Sequence, residues 1–509
     1  MLDPTAFRDI DRKERIRIPH LGVRKRPPGE RIYNFNEVVI GYDAETAIIE
    51  AERCVQCPHP QPCMLSCPAH NDIPGALWLI SQGEFLEAAA KFRETSNLPE
   101  VCGRVCPHLC QNGCGVGKSH QVVDIGKLEA FVSDVARSVY GEVPPPRDQA
   151  PPTGYSVGVV GSGPAGLSVA EELALDGHAV TVYEAWPKPG GLLVYGIPAF
   201  KLEKHVVAEK IAQLQRLGVR FVTNTRVGKD VTVDELLEHY DVVYLGTGAG
   251  IEAAMNVPGE DLPGIYHSTN FLVRGNLHAM AEEYLPPDLR ELPRVGRRVA
   301  IIGGGDTATD CARTARRLQV AQGVPGPHEV TIVYRRSEKE MPGSAEERQY
   351  ALEEGVTVEY LTAPVRFLAD DEGKLRAMEC VRMELGEPDA SGRRRPVPIE
   401  GSNYIMEVDT VVLAIGYWPD PLIGETTPGL ETHRWGLIVA DPETGATSRP
   451  GVFAGGDNVH GPDLVVTAVA AGRRAGRAMH QYLMSKRDER ARPGETAQEL
   501  AAQPVLAMA

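Results

Sequence analysis

The chain has 509 residues, 42% of them apolar and 24% charged, with a formal net charge of −16 and a pI near 5.4. That length corresponds to about three domains. The composition excludes a disordered chain, and the acidity excludes a nucleic-acid backbone as main partner. No run approaches the roughly 18 apolar residues of a membrane helix. Residues 1–20 mix acids with bases and have no apolar core for a secretory signal. A reducing, cytoplasmic setting is expected.

The basic opening, with Arg24, Lys25 and Arg26, reads as a solvated arm or as a dock for an acidic partner. Beyond it, eight of the ten cysteines fall between residues 54 and 114. In a reducing setting such clustering means metal or redox chemistry rather than disulfides. The first group reads Cys54-x2-Cys57-x5-Cys63-x3-Cys67-Pro68; the second reads Cys102-x3-Cys106-Pro107-x2-Cys110-x3-Cys114. Structural zinc usually takes two C-x2-C pairs, and one is present here. Three compact thiolates followed by a distant Cys-Pro is the ferredoxin-like pattern, so eight cysteines can hold two 4Fe–4S clusters, with zinc as the alternative. AETAIIEAERC, PGALWLISQGEFLEAAAKF and IGKLEAFVSDVARSVY carry apolar residues at helical spacing. They predict a small helical domain, residues 1–145, wrapped around the cysteines. GEVPPPRDQAPPTG, rich in proline, reads as the linker that ends it.

A strand, SVGVV, then meets Gly161-x-Gly163-x-x-Gly166, a helix, and a second strand ending in Glu184, 23 residues after Gly161. Strand, turn, helix and acid in register form a dinucleotide-binding fingerprint, with the pyrophosphate at the helix N-terminus and the acid on the ribose. In GGLLVYGIPAFKL, Gly191, Tyr195 and Lys201 approach the flavin or shape its pocket.

A second fingerprint follows about 140 residues on. RVAII leads into Gly303-x-Gly305-x-x-Ala308, with Asp306 opening the helix. The next strand, EVTIVY, ends in Arg335 and Arg336 where an acid would reject a 2′-phosphate. Arginines there pair with that phosphate and select NADP(H), or are surface charge after a strand. VDTVVLAIGYWPD is expected to cross back, and GVFAGGDNVHGPDLVVTAVAAGRRAGRAM to close the first domain. Gly456 and Asp457 then bind FAD, and the helix from about Leu464 points its positive end at the flavin ring.

The predicted fold is α/β: an N-terminal all-α iron–sulfur domain, then two Rossmann-like domains. The FAD domain is discontinuous, 154–290 and 410–485, with the NAD(P)H domain, 291–409, inserted in it and a flexible tail at 486–509.

The chain resembles the small (β) subunit of bacterial NADPH-dependent glutamate synthase. It also resembles the N-terminal module of dihydropyrimidine dehydrogenase and the large subunit of NADH-dependent ferredoxin:NADP oxidoreductase. The matches include ERIYNFNEV, VCGRVCP, GGLLVYGIPAFKLEK, YRRSEKEMPGSAEE and AGGDNVHGPDLVVTAVAAGR, with GGLLVYGIPAFKL and MPGSAEE the most specific. The resemblance implies one cluster on Cys54, Cys57, Cys63 and Cys114. It implies a second on Cys67, Cys106, Cys110 and Glu129, the last residue of an Ile125-Gly-Lys-Leu-Glu129 stretch. Cys102 is then a spare thiol. The chain departs from its relatives in having five residues rather than four between Cys57 and Cys63. It has no room for an amidotransferase or an FMN barrel.

The function this implies is NADPH-dependent electron transfer through FAD and two 4Fe–4S clusters to a large catalytic subunit or another redox protein. Hydride transfer needs no acid–base residue, and no catalytic side chain is named. An electron-bifurcating role and a non-catalytic scaffold remain as alternatives. A disulfide reductase would need a redox cysteine pair by the flavin; no C-x-x-C follows residue 57, and Cys311 reads as a core thiol.

Overall fold

The computed structural model describes residues 10–278, 281–433 and 435–486. The expected tail lies almost wholly outside them; the last helix runs to Ser485.

The cysteine-rich segment is helical, as its periodicity predicts. Helices Ala44–Glu52, Ile73–Ser81, Phe85–Arg93 and Ile125–Tyr140 surround the cysteines. Their apolar faces share a core that includes Ala47, Ile80, Phe92, Leu128 and Val132, together with Cys67 and Cys110. One small departure from an all-α domain is a two-stranded pair, Arg24–Lys25 with Val39–Gly41.

Two parallel five-stranded sheets follow. The first runs Val452–Ala454, Val242–Leu245, Ser156–Val160, Ala179–Tyr183, Arg220–Val222 in spatial order. The second runs Thr357–Tyr360, Glu329–Tyr334, Arg298–Ile302, Thr410–Leu413, Ile265–His267. The central strands are continuous apolar runs because both faces are covered. In the second sheet Val299 and Ile301 face the helix Asp306–Ala321 and share a core with Cys311. Ala300 and Ile302 face the four-stranded antiparallel sheet of residues 362–407 and share a core with Cys380. Both remaining cysteines are therefore core thiols, as expected for Cys311.

The expected domain boundaries need correcting at two points. Strand Thr410–Leu413, assigned from sequence to the FAD domain, pairs with Arg298–Ile302 and Ile265–His267 in the second sheet. Strand Ile265–His267 and helix Ser268–Gly275 also belong with that sheet rather than with 154–290. A short apolar strand fits either sheet locally; only its long-range partners decide. The chain crosses between the sheets through Ile251–Glu252 and Tyr417–Trp418, which pair antiparallel.

Buried polar contacts weld the three parts together. Asn97 Nδ2 donates to Glu171 (2.7 Å) and Glu172 (3.1 Å) on the helix Pro164–Leu175, and Glu171 pairs with Lys210 at 2.6 Å. Arg313 and Arg317, both 0% exposed, pair with Glu354, also 0% exposed, at 2.9 and 2.7 Å. Arg317 also donates to Asn34 O of the N-terminal segment. Glu354→Ala would take from buried Arg317 its carboxylate partner and leave Arg313 only its pair with Glu347, so it is expected to cost about 3–5 kcal/mol. Thermal unfolding of the variant checks this; a loss below about 1 kcal/mol would mean that water or another acid takes over the pairing.

Candidate functional site

The first glycine turn lies between strand Ser156–Val160 and helix Pro164–Leu175. A Cβ on Gly166 would stand 2.0 Å from Gly161 O, so only glycine allows this packing. A Cβ on Gly163 would meet nothing within 4 Å, and Gly163, the helix N-cap, makes no side-chain cap. The helix N–H groups therefore face open space, the geometry that takes a pyrophosphate. Gly191 packs over this turn, its site for a Cβ lying 2.9 Å from Gly163 Cα. Gly456 closes the same end: a Cβ there would stand 3.1 Å from Ala165 Cβ. Burial pushes the Asp457 carboxyl up to about 6, against the hydrogen bond it accepts from the Asp463 backbone.

Glu184 closes the second strand as expected, but its carboxylate is already engaged. It accepts from the Ser162 hydroxyl, from Ser162 N at 3.2 Å and from Trp186 N at 2.9 Å. Burial raises its pKa and these bonds oppose the rise. Glu184 braces the turn through Ser162, a residue the fingerprint does not single out. Tyr195 is buried and donates to Tyr284 O at 2.9 Å. Lys201 pairs with Asp310 at 3.0 Å and approaches Glu347 at 3.9 Å. Burial alone would lower its pKa; these carboxylates outweigh it and hold Lys201 above the ordinary lysine value. Lys201 thus ties the flavin-side loop to the helix that follows the second glycine turn.

The second turn repeats the first. Gly303 has φ +148°, and a Cβ there would stand 2.2 Å from Ala414 O. A Cβ on Gly305 would meet nothing within 4 Å, and the helix Asp306–Ala321 begins there without a side-chain cap. Asp306 Oδ1 accepts from Ser344 N at 2.8 Å, and Gly343 N donates to Gly304 O at 3.2 Å. The MPGSAEE stretch thus rests on this turn. Its Glu347 reaches Lys201, and its Glu346 reaches Lys127 of the cysteine-rich domain at 3.5 Å. The paired arginines separate. Arg335 is exposed. Arg336 is buried, pairs with Asp389 at 2.7 Å and donates to Arg394 O at 2.8 Å. Strand Glu329–Tyr334 ends just before them, so alternation turns one outward and one inward. Arg336 therefore anchors the antiparallel hairpin, and Arg335 stands exposed at the end of the strand.

The cysteines form two sets. Cys54, Cys57, Cys63 and Cys114 line one small cavity with Ile73, Leu77 and Val116. The longer loop between Cys57 and Cys63 does not part them. Cys67, Cys106 and Cys110 lie around Glu129, within reach of one another's charge. Burial, and then Glu100, push Glu129 up to about 8, while Asn71 Nδ2 at 3.4 Å opposes them. A buried carboxyl beside three thiols has a donor set suited to iron. Burial also raises the thiols, Cys54 to about 12 and Cys106 to about 11, so metal must draw off their protons. Among the described residues no three cysteine sulfurs lie within 4.8 Å of one another. Four thiolates on one zinc stand only about 3.8 Å apart, so both sets fit a cluster of several irons better than a single ion. Cys102 is buried within reach of the charges of Glu129, Cys106 and Cys67, and shares one core with Val157 and Val159 of the first sheet and Leu167 of the helix after its glycine turn.

Turns, sheets and thiols together define a flavin- and nicotinamide-dependent oxidoreductase with an iron–sulfur domain. Residues 155–472 match the family described as pyridine nucleotide-disulphide oxidoreductase. Residues 31–140 match that described as dihydropyrimidine dehydrogenase domain II, 4Fe-4S cluster. The glutamate synthase [NADPH] small chain of Halomonas elongata is 40% identical over 90% of this chain and 95% of its own length. The putative oxidoreductase AegA of Escherichia coli K12 is 40% identical over 88% of this chain and 67% of its own. Mycobacterium tuberculosis FprA in complex with NADPH shares the fold, with TM-score 0.56 and 23% identity over 69% of this chain and 89% of its own. The chain belongs to the pyridine nucleotide-disulphide oxidoreductase family, in the group that carries this 4Fe–4S domain. Its cofactors are FAD, NADP(H) and 4Fe–4S iron. Among the described residues no helix is long and apolar enough to cross a membrane.

Proposed function

We propose that this chain takes hydride from NADPH and passes single electrons through two 4Fe–4S clusters to a protein partner. A large catalytic subunit, such as the small-chain name of its relatives implies, is the expected partner. The observation that carries this reading is the order of the sites. The second thiol set borders the core of the flavin sheet. The first set is partly exposed, beside the exposed Pro58, Pro60 and Leu65. FAD, when bound, supplies the exchange of a two-electron hydride for single electrons.

The residues divide the remaining work. Gly163 and the helix after it receive the FAD pyrophosphate, with Gly191, Gly456 and Asp457 closing the site. Glu184 and Ser162 fix the shape of that turn. Gly303, Gly305 and Asp306 do the same for NADPH, and Arg335 pairs with its 2′-phosphate. Lys201, Asp310 and Glu347 hold the two nucleotide sites in register.

Arg335→Ala is expected to raise KM for NADPH by about 10- to 100-fold, the worth of one charge-assisted phosphate bond, and to leave KM for NADH nearly unchanged. Arg336→Ala should destabilise the hairpin and leave the NADPH-to-NADH ratio alone. NADPH-driven reduction of a one-electron dye reads both. Cofactor-loaded protein that turns over no dye would instead be a scaffold.

A further inference from the structure

A third cluster of ligand-type side chains lies outside both thiol sets and both nucleotide sites. His20, Glu50 and Asp124 bring a ring nitrogen and two carboxylate oxygens within 4.8 Å of one another. They come from three separate places: the N-terminal segment, the helix Ala44–Glu52 and the residue before the helix Ile125–Tyr140. His20 Nε2 stands 3.1 Å from Asp124 Oδ2, which also accepts from Tyr42 Oη at 2.9 Å.

Two features mark the cluster as short of a positive partner. Glu50 is 0% exposed, and its Oε2 has no hydrogen-bond partner. Its other oxygen accepts from Arg53 at 2.6 Å and from Asp124 N at 2.9 Å. An unsatisfied buried carboxylate oxygen is costly, and a second carboxylate beside it makes it costlier. Asp124, at the N-cap of a long helix, makes no side-chain cap bond, although aspartate there normally does. It turns to His20 and Tyr42 instead. The Arg53 guanidinium that pairs with Glu50 is also shared among Ile18 O, Gln121 O and Val122 O.

We propose that His20, Glu50 and Asp124 form a binding site for one divalent cation of the zinc class, separate from the iron–sulfur ligands. One imidazole with two carboxylates, and no thiol, suits Zn²⁺. Calcium and magnesium prefer more oxygens and no ring nitrogen. Ligands on a tetrahedral zinc stand about 3.4 Å apart, close to the existing His20–Asp124 spacing. His20 and Asp124 side chains are 26% and 16% exposed, which leaves the ion a way in. Bound there, it fastens the N-terminal segment over the first thiol set. That segment already reaches the set's backbone: Arg12 donates to Val55 O and Gln56 O, and Arg15 to Cys54 O.

The test uses the full-length holoprotein, passed anaerobically over a chelating resin and then given one equivalent of Zn²⁺. Metal analysis should find one zinc per chain beside undiminished iron and flavin. His20→Ala and Asp124→Asn should each lose that zinc while keeping iron and flavin. Crystals measured on both sides of the zinc absorption edge should show one anomalous peak among the three side chains. Zinc should also slow tryptic cleavage at Arg12–Arg17 in the parent protein and not in His20→Ala. The proposal fails if no zinc is retained, if both variants retain it equally, or if zinc enters only by displacing iron.

Discussion

Cys57→Ala is expected to remove one cluster and spare the other, so that iron falls from about eight to about four atoms per chain while flavin stays. Cys57 lines the cavity it shares with Cys54, Cys63 and Cys114, and none of the second set lines it. Glu129→Ala is expected to remove the complementary four irons. Cys102→Ala is expected to remove none, because that thiol packs against the flavin sheet. Iron analysis with low-temperature EPR of the reduced variants reads the three results side by side. Four irons lost from Cys102→Ala, and none from Glu129→Ala, would exchange the roles of those two residues.

Gly303→Ala is expected to lower kcat/KM with NADPH by about 100-fold or more while FAD remains bound, since a displacement of about 1 Å at a positioning turn costs that much. The added methyl would stand 2.2 Å from Ala414 O, where backbone meets backbone and neither can yield without moving a strand. The mirror variant, Gly166→Ala, places its methyl 2.0 Å from Gly161 O and is expected to lose FAD. Flavin content and stopped-flow reduction by NADPH distinguish the two. Loss of flavin from Gly303→Ala would mean that the two turns do not serve separate nucleotides.

Both glycine turns were legible because each depends on a local run of strand, turn and helix. The cysteine spacing pointed to clusters, but not to the way they divide. Cys114 joins Cys54, Cys57 and Cys63 across a long stretch of helical chain, and that grouping came from family resemblance until the cavity brought the four together. Strand Thr410–Leu413 was assigned to the wrong sheet because a buried VVL run carries no mark of its partners. Arg336 looked equivalent to Arg335; its partner Asp389 sits far along the chain on a hairpin the pattern does not foretell. Lys201 and Glu347 lie in the two most specific motifs, yet their meeting across the nucleotide domains was visible only in three dimensions. The same holds for Ser162, whose bond to Glu184 stiffens the flavin turn.

The most direct test of the central claim is an anaerobic titration of the holoprotein with NADPH, following the flavin band and the iron–sulfur absorption together. The flavin should bleach first and the iron–sulfur absorption should fall with it or after it, with NADH far less effective. Flavin reduction that never reaches the iron would contradict the electron path, and failure of either nucleotide to reduce the flavin would contradict the enzyme itself.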